Sequence, residues 1–345
     1  MTDPFSGIIG HARVIELLRR DAPEPAHAYL FVGPESVGKA LLARQFAAAI
    51  LCPTQGVHGT DCRSCRLVAS GGHPDVSVVE PEGATSLGVE QIRSVVARAA
   101  LRPVEGPRTV FLLPEAGTMT EQAANALLKT LEEPSAAVVF LLVAESEGDF
   151  PPTVSSRCRT VHVGRVPLAE LVSALGERGL GPDEATSVAV VAGGRPGLAL
   201  ALMNRPEVAR FRDLWLSIPG RVTPRPGDGQ RLAMQVLEEI GPLAERSVST
   251  EMSKDAQQRA RRRSEQSLLV NGLEILASWY SDSASLQMGG PVKNSDLPLS
   301  AFTDVNPRKA VNSAEHVLDA VVDIQGSLRR ELVLATLFTG LGSQD

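Results

Sequence analysis

The chain has 345 residues, of which 43% are apolar, 21% charged and 4% aromatic, with a formal net charge of −6. That is enough apolar chain to bury the cores of two or three domains, which excludes a disordered protein. The acidic balance excludes a free-standing nucleic-acid binder built on a large basic face, although a local basic surface within an assembly stays open.

The first residues, MTDPFSGIIG, have no signal-peptide layout, and no run of about 18 apolar residues follows. A soluble cytoplasmic protein without a membrane partner is the expectation. Ile8, Ile9, Val14, Ile15, Leu17 and Leu18 recur at mostly helical spacing and predict an amphipathic helix over 8–19. AYLFVG (28–33) is a short apolar run ending in glycine, the pattern of a buried parallel strand. KALLARQFAAAIL (39–51) predicts a helix, and the polar segment CPTQGVHGTDCRSC (52–65) interrupts it. DVSVVE (75–80), RTVFLL (108–113), AVVFLLVA (137–144) and RTVHV (159–163) predict four more strands. Helical patterns at 88–101 and 118–133 lie between them. In the second, Ala123, Ala124, Leu127, Leu128 and Leu131 share one face, Asn125, Lys129 and Glu132 the other, and Pro134 stops the helix. Alternating strands and helices predict a parallel five-stranded α/β domain over 1–164. Beyond Val166-Pro167 the strands cease. Short helical patterns suggest a small helical domain at 165–205 and an all-α domain at 206–345, with breaks near 218–230 and 289–300. No repeat of fixed period occurs.

GPESVGKA (33–40) fits the phosphate-cradling pattern G-x-x-x-x-G-K-[ST] at all but its last position. Gly33 allows the tight turn and Gly38 the close backbone approach, while Lys39 is placed to reach the β- and γ-phosphates. Where a hydroxyl should ligate magnesium there is Ala40. The later strand RTVFLLPEA, which should end in Asp-Glu, has Pro114 and then Glu115. Both protein ligands of one ion are affected, so weak or no nucleotide binding and no catalytic Mg-ATP are expected at this site.

TMTEQAANALLKTLEEPSAAVVFLLVAESEGDFPPTVSSRC (118–158) resembles the bacterial clamp-loader AAA+ family, and the resemblance extends over about 1–200 through GHARVIELL, HAYLFVGPESVGKALLARQFA and CRSCRLVASGGHPDV. It implies an AAA+ domain, a helical lid and a C-terminal collar that joins a ring of subunits. It implies as partners the ATP-hydrolysing gamma/tau motor subunits, a delta subunit, and the sliding clamp and primed DNA reached through the assembly. In this family the arginine of Ser-Arg-Cys enters a neighbour's ATP site as an arginine finger. Here that is Arg157, whose bland alternative is a solvated basic residue before a strand. The resemblance places Ala144 and Glu145 at the sensor 1 position, with Ser146 one place late. Arg195 of AGGRPG stands at the sensor 2 position, with a helix-start role as the other reading. A stator without independent ATPase activity is the function implied; an ATP-hydrolysing motor subunit is the alternative.

The family carries a four-cysteine zinc module after the P-loop helix. Aligned through HPD, the chain keeps Cys52, Cys62 and Cys65, with Gly59 at the second ligand position. Structural zinc takes four protein ligands, and His58 could complete a Cys₃His set. The other reading is a decayed module without metal. His73 reads as structural rather than as a ligand. Arg259 to Arg263 form a basic run, either a solvated helix face or a DNA contact. LLVNGLEILASWY (268–280) suits the interior of a bundle or collar.

Overall fold

The computed structural model describes residues 3–54, 62–82, 86–203, 207–246, 254–294, 297–303, 305–326 and 328–343. The chain divides into two compact units, Met1–Glu177 with Gly194–Leu198, and Arg178–Gly193 with Ala199–Asp345.

The first unit is built on five strands, β1 (Ala28–Val32), β2 (Val76–Val78), β3 (Thr109–Leu113), β4 (Val138–Ala144) and β5 (Arg159–His162). They lie in the order β2-β3-β4-β1-β5, with every neighbouring pair parallel. The register sets Ala28 opposite Phe140 and Tyr29 opposite Arg159. The helices are α1 (Ala12–Asp21), α2 (Lys39–Leu51), α3 (Arg63–Ser70), α4 (Val89–Ala99), α5 (Glu121–Glu132), the single turn α6 (Pro152–Ser155) and α7 (Leu168–Gly176).

Strands β1, β3 and β4 are buried along their whole length, because helices cover both faces of the sheet. Successive side chains therefore feed two cores. Tyr29, Phe31, Val139 and Leu141 join Leu18, Leu42 and Phe46 of α1 and α2. Leu30, Phe140 and Leu142 join Ile92, Leu127 and Leu131 of α4 and α5. The predicted faces of α5 hold: Ala123, Ala124, Leu127 and Leu131 are buried, Leu128 is half-buried, and Asn125, Lys129 and Glu132 are exposed.

Two helix assignments differ from expectation. The first helix starts at Ala12 rather than residue 8, because His11 adopts φ 61° and breaks the path, and Pro4–Gly7 forms a 3₁₀ turn. The polar segment at 52–65 gives way to α3, whose N-cap is Cys62.

The remaining helices are α8 (Pro182–Ala192), α9 (Pro196–Leu202), α10 (Glu207–Ser217), α11 (Asp228–Arg246), α12 (Lys254–Gln287), α13 (Pro307–Gln325) and α14 (Arg330–Ser343). In the second unit α12 packs along α13 and against α10 and α11, and α11 packs on α14. The apolar stretch 268–280 lies within α12, with Leu268, Leu269, Leu273, Leu276, Trp279 and Tyr280 buried. The break after α12 is pinned by buried Asp282, whose carboxylate accepts N–H bonds from Lys293 and Asn294, each at 2.8 Å. Among the described residues, no helix is long and apolar enough to cross a membrane.

Gly272 of α12 lies against the ring of Trp215, a fully buried side chain of α10, and a Cβ at that position would overlap the indole. Gly272→Ala should therefore cost about 1–3 kcal/mol by overpacking. Thermal or urea unfolding against wild type checks this, and an unchanged midpoint contradicts it.

Candidate functional site

The glycine loop follows β1, at the C-terminal ends of adjacent parallel strands, where open α/β sheets bind ligands. Gly33 has φ 150°, and a Cβ there would overlap the Val163 carbonyl oxygen. Gly38 has φ 104° and caps α2. Both geometries favour glycine.

Four carbonyls of this loop are taken by the protein's own donors. The Lys39 ammonium, 8% exposed, donates to the carbonyls of Gly33 at 2.7 Å and Pro34 at 2.6 Å. The amide of Gly197, in α9, donates to the Ser36 carbonyl at 2.8 Å. His11 lies 2.9 Å through Nε2 from the Val37 carbonyl, and since a carbonyl only accepts, Nε2 carries the proton. The Gly33 amide donates in turn to the Glu145 carbonyl at 3.1 Å. Burial lowers the Lys39 pKa, opposed by Glu145, Glu35 and Asp149.

Ala40 is exposed at the start of α2, and half-buried Pro114 directly follows β3. Neither has a side-chain oxygen for a metal. Glu115 caps the short 3₁₀ turn Ala116–Thr118. After β4, Ser146 caps a further turn, and the Asp149 carboxylate accepts from the amides of Glu145 and Ser146, both at 3.0 Å. Arg195 is 2% exposed and immediately precedes α9.

The two arginines around Cys158 are held differently. Arg159 pairs at 2.5 Å with Asp21, a carboxylate only 7% exposed that also accepts from the Tyr29 hydroxyl at 3.2 Å. Arg157 is 35% exposed; it pairs with Glu132, itself 48% exposed, at 2.7 Å and donates to the Thr153 carbonyl at 2.8 Å. An ion pair so open to solvent is worth about 0–1 kcal/mol. Cys158 is half-buried, and burial pushes its thiol up to about 12, so it stays a neutral packing group.

Cys52 at the C-cap of α2 meets Cys62 and Cys65, one helical turn apart at the start of α3. The three Sγ atoms lie within 4.8 Å of one another, Cys52 and Cys62 at 3.9 Å. Burial, with hydrogen bonds from Cys62 and Cys52, raises the Cys65 thiol pKa. Three converging soft donors suit zinc. His58 and Gly59 lie outside the described residues.

His73 is not a ligand, because both ring nitrogens are engaged. The Asp75 amide donates to Nδ1 at 3.1 Å, leaving Nε2–H to donate to the Ser64 hydroxyl at 3.1 Å. Ser64 donates onward to the Leu51 carbonyl at 3.0 Å. This relay joins both ends of the insert to the sheet without metal.

Asp75, missed as a key residue in the sequence, is 1% exposed and accepts from the amides of Val104 at 2.5 Å, Glu105 at 2.9 Å and Gly106 at 2.7 Å. Burial alone would raise its carboxyl pKa, but these three donors, with His73, bring it below the ordinary aspartate value. A depressed pKa stabilises the fold above the unfolded-state value, and that contribution is lost as pH falls through the folded-state value.

In the basic run, Arg259 is buried and Arg261 pairs with Glu265 at 3.0 Å and Glu245 at 3.3 Å. Glu265 also receives Arg330 at 2.7 Å. These contacts favour a structural network over a nucleic-acid face.

The DNA polymerase III, delta subunit family matches residues 10–167. DNA polymerase III subunit delta-prime of Pseudomonas aeruginosa is 44% identical over 136 residues, 39% of this chain and 42% of that protein. DNA polymerase III subunit tau/gamma of Haemophilus influenzae is 34% identical over 164 residues, 46% of this chain and 23% of that protein. The chain thus spans less than half the length of these curated relatives. A solved DNA polymerase III gamma-subunit-related protein from Thermotoga maritima aligns over 95% of this chain and 98% of its own, at 20% identity and a TM-score of 0.41.

Replacing Asp75 with asparagine keeps the shape but turns an amide against three N–H donors. It should lower stability by about 2–3 kcal/mol at neutral pH. The loss should shrink as pH falls past the ordinary aspartate value, because wild type then loses the same charge. Urea unfolding at neutral and acidic pH checks this, and a loss equal at both contradicts it.

Proposed function

We propose that the chain is the non-hydrolysing stator of the replicative clamp loader, a reading supported by the match of residues 10–167 to the DNA polymerase III delta-subunit family and by the similarity to DNA polymerase III subunit delta-prime. It docks a gamma/tau motor subunit, with delta as a further partner, and donates Arg157 to the motor's ATP site. The assembly then opens the sliding clamp and places it on primed DNA in the cytoplasm. In this reading the chain comprises an AAA+ domain over 1–164, a lid over 165–205 and a collar over 206–345.

The observation that carries the proposal is the contrast between two sites. At its own glycine loop, Ala40 and Pro114 supply no metal ligand, and Lys39 is bonded to the loop itself. At Arg157 a partly exposed guanidinium is held only by a surface carboxylate and one carbonyl among its described contacts. A guanidinium presented to a γ-phosphate supplies positive charge where negative charge develops during transfer. It exchanges one exposed carboxylate for phosphate oxygens at small cost, which Arg159, bound to buried Asp21, does not. The similarity to tau/gamma favours the hydrolysing-motor reading, and Ala40 with Pro114 oppose it.

Zinc, if held, would be bound by Cys52, Cys62 and Cys65, with His58 as fourth ligand. It would order the insert rather than take part in hydrolysis.

Two measurements test these roles. In loader reconstituted with its motor subunits, Arg157→Ala should assemble normally yet lower clamp- and DNA-stimulated ATPase. Known fingers contribute about 10³–10⁵ in rate at the site they serve, so the total should fall by that site's share. Unchanged ATPase and clamp loading would falsify the finger role. Elemental analysis of the chain purified without chelator should give about one zinc per chain, and Cys62→Ser should lower it; metal-free wild type would retire the zinc site.

A further inference from the structure

Glu132 is the last residue of α5, on its exposed face, and Arg157 follows the turn α6. Twenty-four residues separate them in sequence, yet Glu132 Oε1 lies 2.7 Å from Arg157 Nη2. The other terminal nitrogen of the same guanidinium, Nη1, donates to the Thr153 carbonyl at 2.8 Å. We infer that Glu132 is a positioning residue: it fixes the direction of Arg157 before a neighbour's nucleotide is engaged. This inference rests on the finger role proposed above.

Three observations lead there. A carboxylate at a helix C-terminus opposes the helix dipole, so Glu132 is poorly placed for the stability of α5. The pair is also open to solvent, with both side chains at least a third exposed, and such pairs contribute little to folding. What the pair supplies is orientation. Glu132 and Thr153 belong to different elements and engage different ends of one planar group, which restrains both its position and its plane. Only two of the guanidinium's five N–H bonds are committed by these two contacts, leaving the others for phosphate oxygens. Without Glu132, the Thr153 carbonyl would restrain one end only, and the long side chain would regain rotamers that must be lost again in each transition state.

Steady-state ATPase of the reconstituted loader, with clamp and primed DNA, tests the inference. Glu132→Ala should slow hydrolysis about three- to tenfold at the one site Arg157 serves, lowering total kcat by no more than Arg157→Ala does, with KM for ATP within about twofold, since orientation is needed for transfer rather than for the motor's own binding. Glu132→Gln keeps a side-chain oxygen to accept from Nη2 and should recover more than half of the kcat that Glu132→Ala loses. Glu132→Ala combined with Arg157→Ala should be no slower than Arg157→Ala alone. Loader assembly and thermal midpoint should stay at wild-type values. If Glu132→Ala leaves kcat unchanged or raises it while Arg157→Ala lowers it, the positioning role is overturned and the finger role stands. Additive losses in the double variant overturn it too. If Arg157→Ala itself has no effect, the finger role fails, and the positioning role with it.

Discussion

A backbone carbonyl turned inward between a buried strand and a buried helix must find a donor, and this constraint governs the glycine loop. Tight turning at Gly33 and Gly38 directs the loop's oxygens at whatever lies close. Here that is Lys39, the Gly197 amide and His11. The same contacts tie together the start of α2, the residues preceding α1 and the start of α9. A loop whose type elsewhere serves nucleotide chemistry thereby also acts as a structural junction. Retention of glycines and lysine without a hydroxyl at Ala40 needs no catalytic explanation, because the junction alone requires them.

The electrostatics of the unit separate structural from available charge. Buried Asp21 holds both the Arg159 guanidinium, itself 41% exposed, and the Tyr29 hydroxyl, with burial and Asp21 raising the Tyr29 pKa to about 12. Asp75 is equally committed, to three amides. Such groups cannot leave their partners without stranding a charge away from water. Arg157 and Glu132 lie at the other extreme, close enough to define a geometry and wet enough to release it.

Legibility of the sequence followed the range of the forces involved. β1, β3 and β4 are continuous apolar runs because both sheet faces are covered, so each was visible in a handful of residues. The exposed face of α5 was equally plain from Asn125, Lys129 and Glu132. Shorter features were obscured where a local backbone choice outweighs pattern. His11 in the left-handed region delays α1 past apolar Ile8 and Ile9, and α3 hides behind a polar cysteine-bearing segment. Among the site residues, Gly33, Gly38, Lys39 and the three cysteines announced themselves by spacing. Asp75 and Glu132 did not, since their partners lie far along the chain and only the folded sheet brings them near. For Asp75 the one available sign was an acid directly after His73-Pro74, at the opening of a strand.

The relay from Asp75 through His73 and Ser64 to Leu51 gives the cysteine insert a particular independence. Its two ends are joined by hydrogen bonds whose donors and acceptors are fully assigned, and none of these atoms is a thiol. An ornament mounted in this way can be remodelled one residue at a time, shortened or stripped of its coordinating chemistry, while the frame beneath keeps its shape. A glycine at the position of one expected cysteine therefore leaves every hydrogen bond of this mounting in place.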